Sequence, residues 1–197
     1  MKTLLTLFVL FFSSSVVADD IKDFEIEGIQ IGDSLLDYVF EEEILKYFEI
    51  TSSHYQYLNN PKKYGEVYIL NGQNFKTYRN LSFFVKPDDK HYIIYSIRGM
   101  LDYIENLDGC LEKQEEIDNE IENFLNEFDK HEATFKSELD PSKKSNSFST
   151  KFILKNGDII ETRCNNWEEN LRQENNWTEG LSVKLTTSEV DNWLSDY

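Results

Sequence analysis

Asn156-Gly157 sits between two strand-like runs, Phe148–Lys155 and Asp158–Cys164, both rich in β-branched and aromatic residues. Asn-Gly takes the two positive-φ positions of a tight turn whose twist matches the strands it joins, so it is the strongest short hairpin signal a sequence carries. A hairpin forces antiparallel pairing. Glu66–Leu70, closed by Asn71-Gly72, is a short strand. Lys76–Lys86 and His91–Tyr103 are longer ones, joined by Pro87-Asp88-Asp89-Lys90 as a meander. Tyr92–Ile97 is apolar on both faces, which predicts the central strand. Leu181–Leu185 is the last strand. The strands fall in consecutive groups rather than alternating one to one with helices. This predicts an α+β fold with mainly antiparallel sheet and the order β-α-β-β-β-α-β-β-β-α.

Phe24–Ile31 alternates apolar and polar residues with a break at Gly28, and reads as a half-buried strand bent at the glycine. Ser34 and Asp37 match a capping box, and Leu36, Phe40, Ile44 and Phe48 recur every four residues. Together they predict a helix over about 34–48, with a possible break near Phe40. Asn106 to about Phe128 is a second helix with the stripe Ile117, Ile121, Phe124, Leu125, Phe128. Its spacing would suit a coiled coil, but two heptads favour packing on the sheet of its own domain. Ser188 and Asp191 form another capping box, opening a short C-terminal helix with Val190, Trp193 and Leu194 on its apolar side. The two longer helices are expected on one face of the sheet. Residues near 129–147 read as a polar connector.

Met1–Ala18 reads as a secretory signal peptide: Lys2, an apolar run Leu4–Phe12, then small residues with Val16 and Ala18 at the positions before a cut. Nine residues of helix span about 14 Å, against about 30 Å of hydrocarbon, so the run is short for a membrane anchor. Residues 19–197 are then one acidic domain in a compartment that permits disulfides. The chain has two cysteines, Cys110 and Cys164. In that setting they most simply pair, which would contribute about 4 kcal/mol through loop closure. The alternative is two buried free thiols.

The net charge of −17, from 37 acids and 20 bases, argues against nucleic acid, because a polyanion needs Lys and Arg to displace its counterions. His54, His91 and His131 share no ligand spacing, and neither a calcium loop nor a nucleotide-binding glycine motif is present. No metal and no cofactor are therefore expected. Tyr55, Tyr57 and Tyr64 in one long loop, with Trp167 and Trp177 in another, are the candidate binding surface. Capping of a small core is the alternative for all five.

Gly32-Asp33-Ser34-Leu35 resembles the nucleophile block of the GDSL esterase and lipase family. That likeness would make Ser34 a nucleophile needing a histidine base. The family's D-x-x-H near the C-terminus is missing, and Phe75 stands where the Asp after its Asn block would be. Separately, residues 24–38 followed by Glu41-Glu-Glu-Ile44 resemble the opening of a group of small exported proteins from Pelagibacter-type marine bacteria. Tyr92–Gly99 with Cys110, and Asn156-Gly-Asp158 with Cys164 and Trp167, extend the likeness. It implies a periplasmic or secreted setting and a paired cysteine. It brings no activity, substrate or catalytic residue. The expected protein is a non-catalytic, exported, monomeric binding or interaction protein, its ligand a protein or a small molecule. A Ser34-dependent esterase is the alternative.

Overall fold

The strands foreseen from Glu66 onward join a single antiparallel sheet, while the Phe24–Ile31 segment forms a separate two-stranded one. The computed structural model describes residues 18, 20–70, 75–138, 140–175 and 177–197. Two short strands, β1 (Glu25–Ile26) and β2 (Ile29–Gln30), precede α1 (Glu41–Thr51). Then follow β3 (Gly65–Leu70), β4 (Asn80–Val85), β5 (Ile94–Asp102) and α2 (Leu107–Phe124). After them come β6 (Phe128–Lys136), β7 (Asn146–Leu154), β8 (Ile159–Asn166), α3 (Glu169–Asn175), β9 (Gly180–Thr186) and α4 (Ser188–Leu194). The seven-stranded sheet has the order β3-β4-β5-β9-β8-β7-β6. Two meanders are thus joined by β9, which enters between them. The middle strand is β9 and not the Tyr92–Ile97 segment, which lies one place to the side within β5.

The two sheet faces differ because side chains alternate along every strand. Val67, Phe83, Ile97, Leu185, Ile160 and Phe152 are cross-strand partners in one row over six strands, and all are buried. α2 covers β8 and β9 on this side through Ile117 and Ile121. It packs on its own sheet because its apolar stripe meets that row. Cys110 in its first turn is disulfide-bonded to Cys164 on β8, and both are buried. The next row, one residue along each strand, is Tyr68, Ser82, Arg98, Lys184, Glu161, Lys151 and His131. One face is hydrocarbon and the other carries charge.

The β7–β8 hairpin forms at Asn156-Gly157, but through a longer turn in which Gly157 alone of the pair has positive φ, +85°, with its N–H on the Leu154 carbonyl at 2.8 Å. The glycine of the first strand does more than bend it. Glu27 and Gly28 both have positive φ and reverse the chain, pairing Ile26 with Ile29. The predicted 34–48 helix is split into one 3-10 turn, Leu35–Asp37, and α1. Residues 32–35 pair with the start of β5, through Gly32 N–H to the Ile94 carbonyl at 2.9 Å and Leu35 N–H to the Tyr92 carbonyl at 3.1 Å. That backbone cannot also open a helix. Ser34 makes no side-chain cap, so the Ser34–Asp37 box does not form. At α4 the cap position is Thr187, not Ser188, and no side chain caps it locally. The Ser188 N–H goes to the Asp158 carboxylate at 2.8 Å, across from the β7–β8 turn, so the Ser188–Asp191 box is replaced by a distant acceptor.

Part of the polar connector is strand. β6 pairs along all of its length with β7 and forms the sheet edge, exposed on both faces. Two-sided exposure removes any need for apolar alternation. The turn after it is ordered by Asp140, whose carboxylate accepts the N–H groups of Ser142, Lys144 and Ser145 at 2.7–2.9 Å. The predicted signal peptide lies outside the described residues up to residue 17. Ala18 is buried, with its N–H on the Phe124 carbonyl at 3.0 Å. Among the described residues, no helix is long and apolar enough to cross a membrane.

Candidate functional site

Trp167 and Trp177 flank α3 and are folded against each other, ring centroids 4.8 Å apart and planes inclined at 52°. The segment closes as a clasp. Trp167 donates its indole N–H to the Thr178 carbonyl at 2.9 Å, and the Trp177 N–H reaches the Arg172 carbonyl at 3.1 Å. Arg172 in turn pairs with the buried carboxylate of Glu179 at 3.2 Å. The clasp stands on the charged face of the sheet at the β5–β9–β8 end. There it encloses a cavity of about 230 Å³ with Tyr68, Arg98, Met100, Asn165 and Ser182.

Arg98 is the residue in this wall that sequence reasoning missed. The chain has four arginines. Arg79 pairs with Asp102, Arg163 with Glu161 and Arg172 with Glu179. Arg98 is half-buried and, among the described residues, makes no hydrogen bond or ion pair. Its strand neighbour is Lys184. Burial brings the Lys184 ammonium down to about 8; Glu161 opposes this, and Arg98, Arg163 and Lys151 add to it. Glu161 is buried too, which works against its charge, yet Lys184 and Arg163 hold it down to about 2. The signal available in the sequence was one guanidinium inside the otherwise weakly polar run Ile94–Met100.

The five candidate aromatic residues do not share one surface. Tyr55 and Tyr64 pack against Trp193, at 5.2 and 5.1 Å between centroids, in a second apolar cluster with Leu58, Phe84 and Val190. Tyr64 is 2% exposed and is core, whereas Tyr57 is 63% exposed and lies beside Tyr197. Tyr55 and Tyr64 line the space beneath residues 51–64, and Trp167 and Trp177 line a different cavity.

Two larger concavities have several of their polar groups engaged within the protein, although the buried Tyr64 hydroxyl at the first has no hydrogen-bond partner among the described residues. Beneath residues 51–64 lies a space of about 600 Å³. There Tyr55 donates to Glu66 at 2.8 Å, and the Thr51 hydroxyl lies on the carbonyls of Tyr47 and Glu66. Between α2 and β6 a groove of about 440 Å³ is lined by Gln114, Asp118 and Lys130. Gln114 donates to the Phe148 carbonyl and to Thr162, Thr162 donates to Asp118, and Lys130 is held by Glu122 and Glu132. Groups satisfied within the protein have little to offer a ligand. In the tryptophan cavity, by contrast, the Arg98 guanidinium, the Trp177 indole N–H and the Ser182 hydroxyl have no hydrogen-bond partner among the described residues.

Ser34 has no histidine ring hydrogen-bonded to it among the described residues. Its hydroxyl donates to the His91 main-chain carbonyl at 2.7 Å, while the His91 ring faces Asp89 at 3.6 Å and is 80% exposed. A hydroxyl proton committed to a carbonyl, with no imidazole hydrogen-bonded to it, is not activated for attack. No protein-family model matches this chain, and no curated protein and no solved structure matches it either.

Proposed function

We propose that this chain is a non-catalytic binding protein, exported as a monomer, whose ligand is a small molecule seated in the Trp167–Trp177 cavity. One observation carries the reading: three donors without hydrogen-bond partners among the described residues line a cavity walled by two tryptophans. Paired indoles offer flat apolar area, and unpaired donors supply orientation, the usual division of labour in a binding site. The apolar leader, the buried cystine and the likeness of residues 24–38 to small exported proteins support a periplasmic or secreted setting. With α2 covering the apolar side of the sheet over β8 and β9, the charged side there is left for the ligand.

The test is a panel of defined monosaccharides, amino acids and small carboxylic acids, scored by melting temperature and tryptophan emission. At about 100 times its Kd, a ligand should raise the melting temperature by about 5 °C or more. The shift should vanish in Trp177→Ala. A panel with no effect on wild type, or a compound stabilising both proteins equally, would overturn the site. Protein recovered from the periplasm should begin at Asp19. Short-chain ester hydrolysis should stay at background, and wild-type activity lost in Ser34→Ala would overturn the non-catalytic reading.

A further inference from the structure

Resting on that binding reading, we infer that the ligand is a sugar acid, a single six-membered ring whose carboxylate pairs with Arg98. In a chain with 37 acidic residues, three of four arginines have a carboxylate partner and Arg98 has none among the described residues. The two buried carboxylates of this face already have partners. Glu161, the nearest carboxylate in the row, already takes the Ser149 hydroxyl at 2.7 Å, Arg163 at 2.6 Å and Lys184 at 3.4 Å. Glu66 takes the Tyr55 hydroxyl at 2.8 Å and faces His54 at 3.6 Å. Arg98, Lys184, Lys151 and Arg163 therefore share this face with two buried carboxylates, Glu161 and Glu66, that already have partners, so cations outnumber the buried carboxylates here. A half-buried guanidinium beside a second cation is costly without a counter-charge, and its planar fork fits a carboxylate. The overall negative field does not forbid this, since it is screened over about 8 Å at physiological salt.

The rest of the cavity selects the remainder of the molecule. About 230 Å³ is room for one ring. The Trp167–Trp177 pair gives the apolar C–H face of a sugar a surface to lie on. Among the described residues, the Ser182 hydroxyl and the Trp177 indole N–H have no hydrogen-bond partner and can bond ring hydroxyls. Asn165 spends its carbonyl oxygen on the Ser147 hydroxyl at 2.7 Å, which leaves its amide N–H groups for the same use. A purely aromatic acid would leave these groups unmatched.

Calorimetric titration of the exported chain with D-galacturonate and D-glucuronate, against D-galactose and D-glucose, tests the inference. One of the acids should bind wild type at least ten times more tightly than its neutral counterpart. Raising NaCl from 25 to 500 mM should weaken the acid and leave the neutral sugar unchanged. Arg98→Gln should remove the preference for the acid. The unliganded variant should melt at or above wild type, because an unpaired cation next to Lys184 has gone; a merely structural Arg98 would lower it. Neutral sugars binding as well as the acids, with Arg98→Gln inert, would overturn the carboxylate and leave the binding site standing. Binding by neither class would overturn the sugar acid. If Trp177→Ala also leaves every shift in the compound panel intact, the cavity itself is wrong.

Discussion

Glu27 shows how much one side chain settles here. It holds a φ of +57°, which a residue with a Cβ rarely adopts, and its carboxylate accepts the N–H groups of Lys76, Thr77 and Tyr78 at 2.7–2.8 Å. Left-handed backbone costs about 1 kcal/mol, and each charged hydrogen bond returns as much or more. Glu27→Gly relieves the backbone but removes three acceptors, so it should still destabilise, by about 1–3 kcal/mol in urea. Equal stability would mean the carboxylate is dispensable. Glu161 gives a pH prediction. Its folded-state value near 2 lies below the ordinary 4.5, so its stabilisation is complete above about 4.5 and is lost as pH falls towards 2. The urea midpoint of wild type should fall between pH 5 and 3, and Glu161→Gln should flatten that fall. None of these roles is legible locally, because Glu27 reaches residues some fifty positions on.

At the scale of elements, local pattern and structure agree where a turn or a stripe is sufficient. The β7–β8 hairpin, the β4–β5 meander and the face of α2 were readable because two-residue and 3.6-residue periods are properties of short segments. β6 was not, since an edge strand with solvent on both sides has no such period. Having a partner on one side only and, unlike the other edge strand β3, no helix against it, it should open before the central strands. Hydrogen exchange should therefore label peptides from residues 128–136 well before those from 180–186. Simultaneous labelling would mean the sheet opens as one unit. The break before α1 escaped prediction for a different reason. Gly32 to Leu35 satisfy their backbone on residues 92–94, and no propensity near residue 34 records that.

Over the whole molecule, the cystine ties the first turn of α2 to β8 across 54 residues. Closing a loop of that size restricts the unfolded chain by about 4 kcal/mol. Cys110→Ala combined with Cys164→Ala should lower the guanidinium unfolding free energy by about 2–5 kcal/mol, and a loss under about 1 kcal/mol would refute the role. Antiparallel pairing, the helix stripe and the partnership of the only two cysteines were already written in the order of residues, because turns, periods and counting need no knowledge of what lies opposite. Two members of the candidate site, Trp167 and Trp177, were legible as aromatic residues in a polar loop. Arg98, Tyr68 and Ser182 were not. They join the tryptophans only because β9 enters between β5 and β8, which sets Arg98 beside Lys184 and brings the clasp over that row. Strand order and register are agreements between distant segments, and a charge is paired or left unpaired only once those agreements are made.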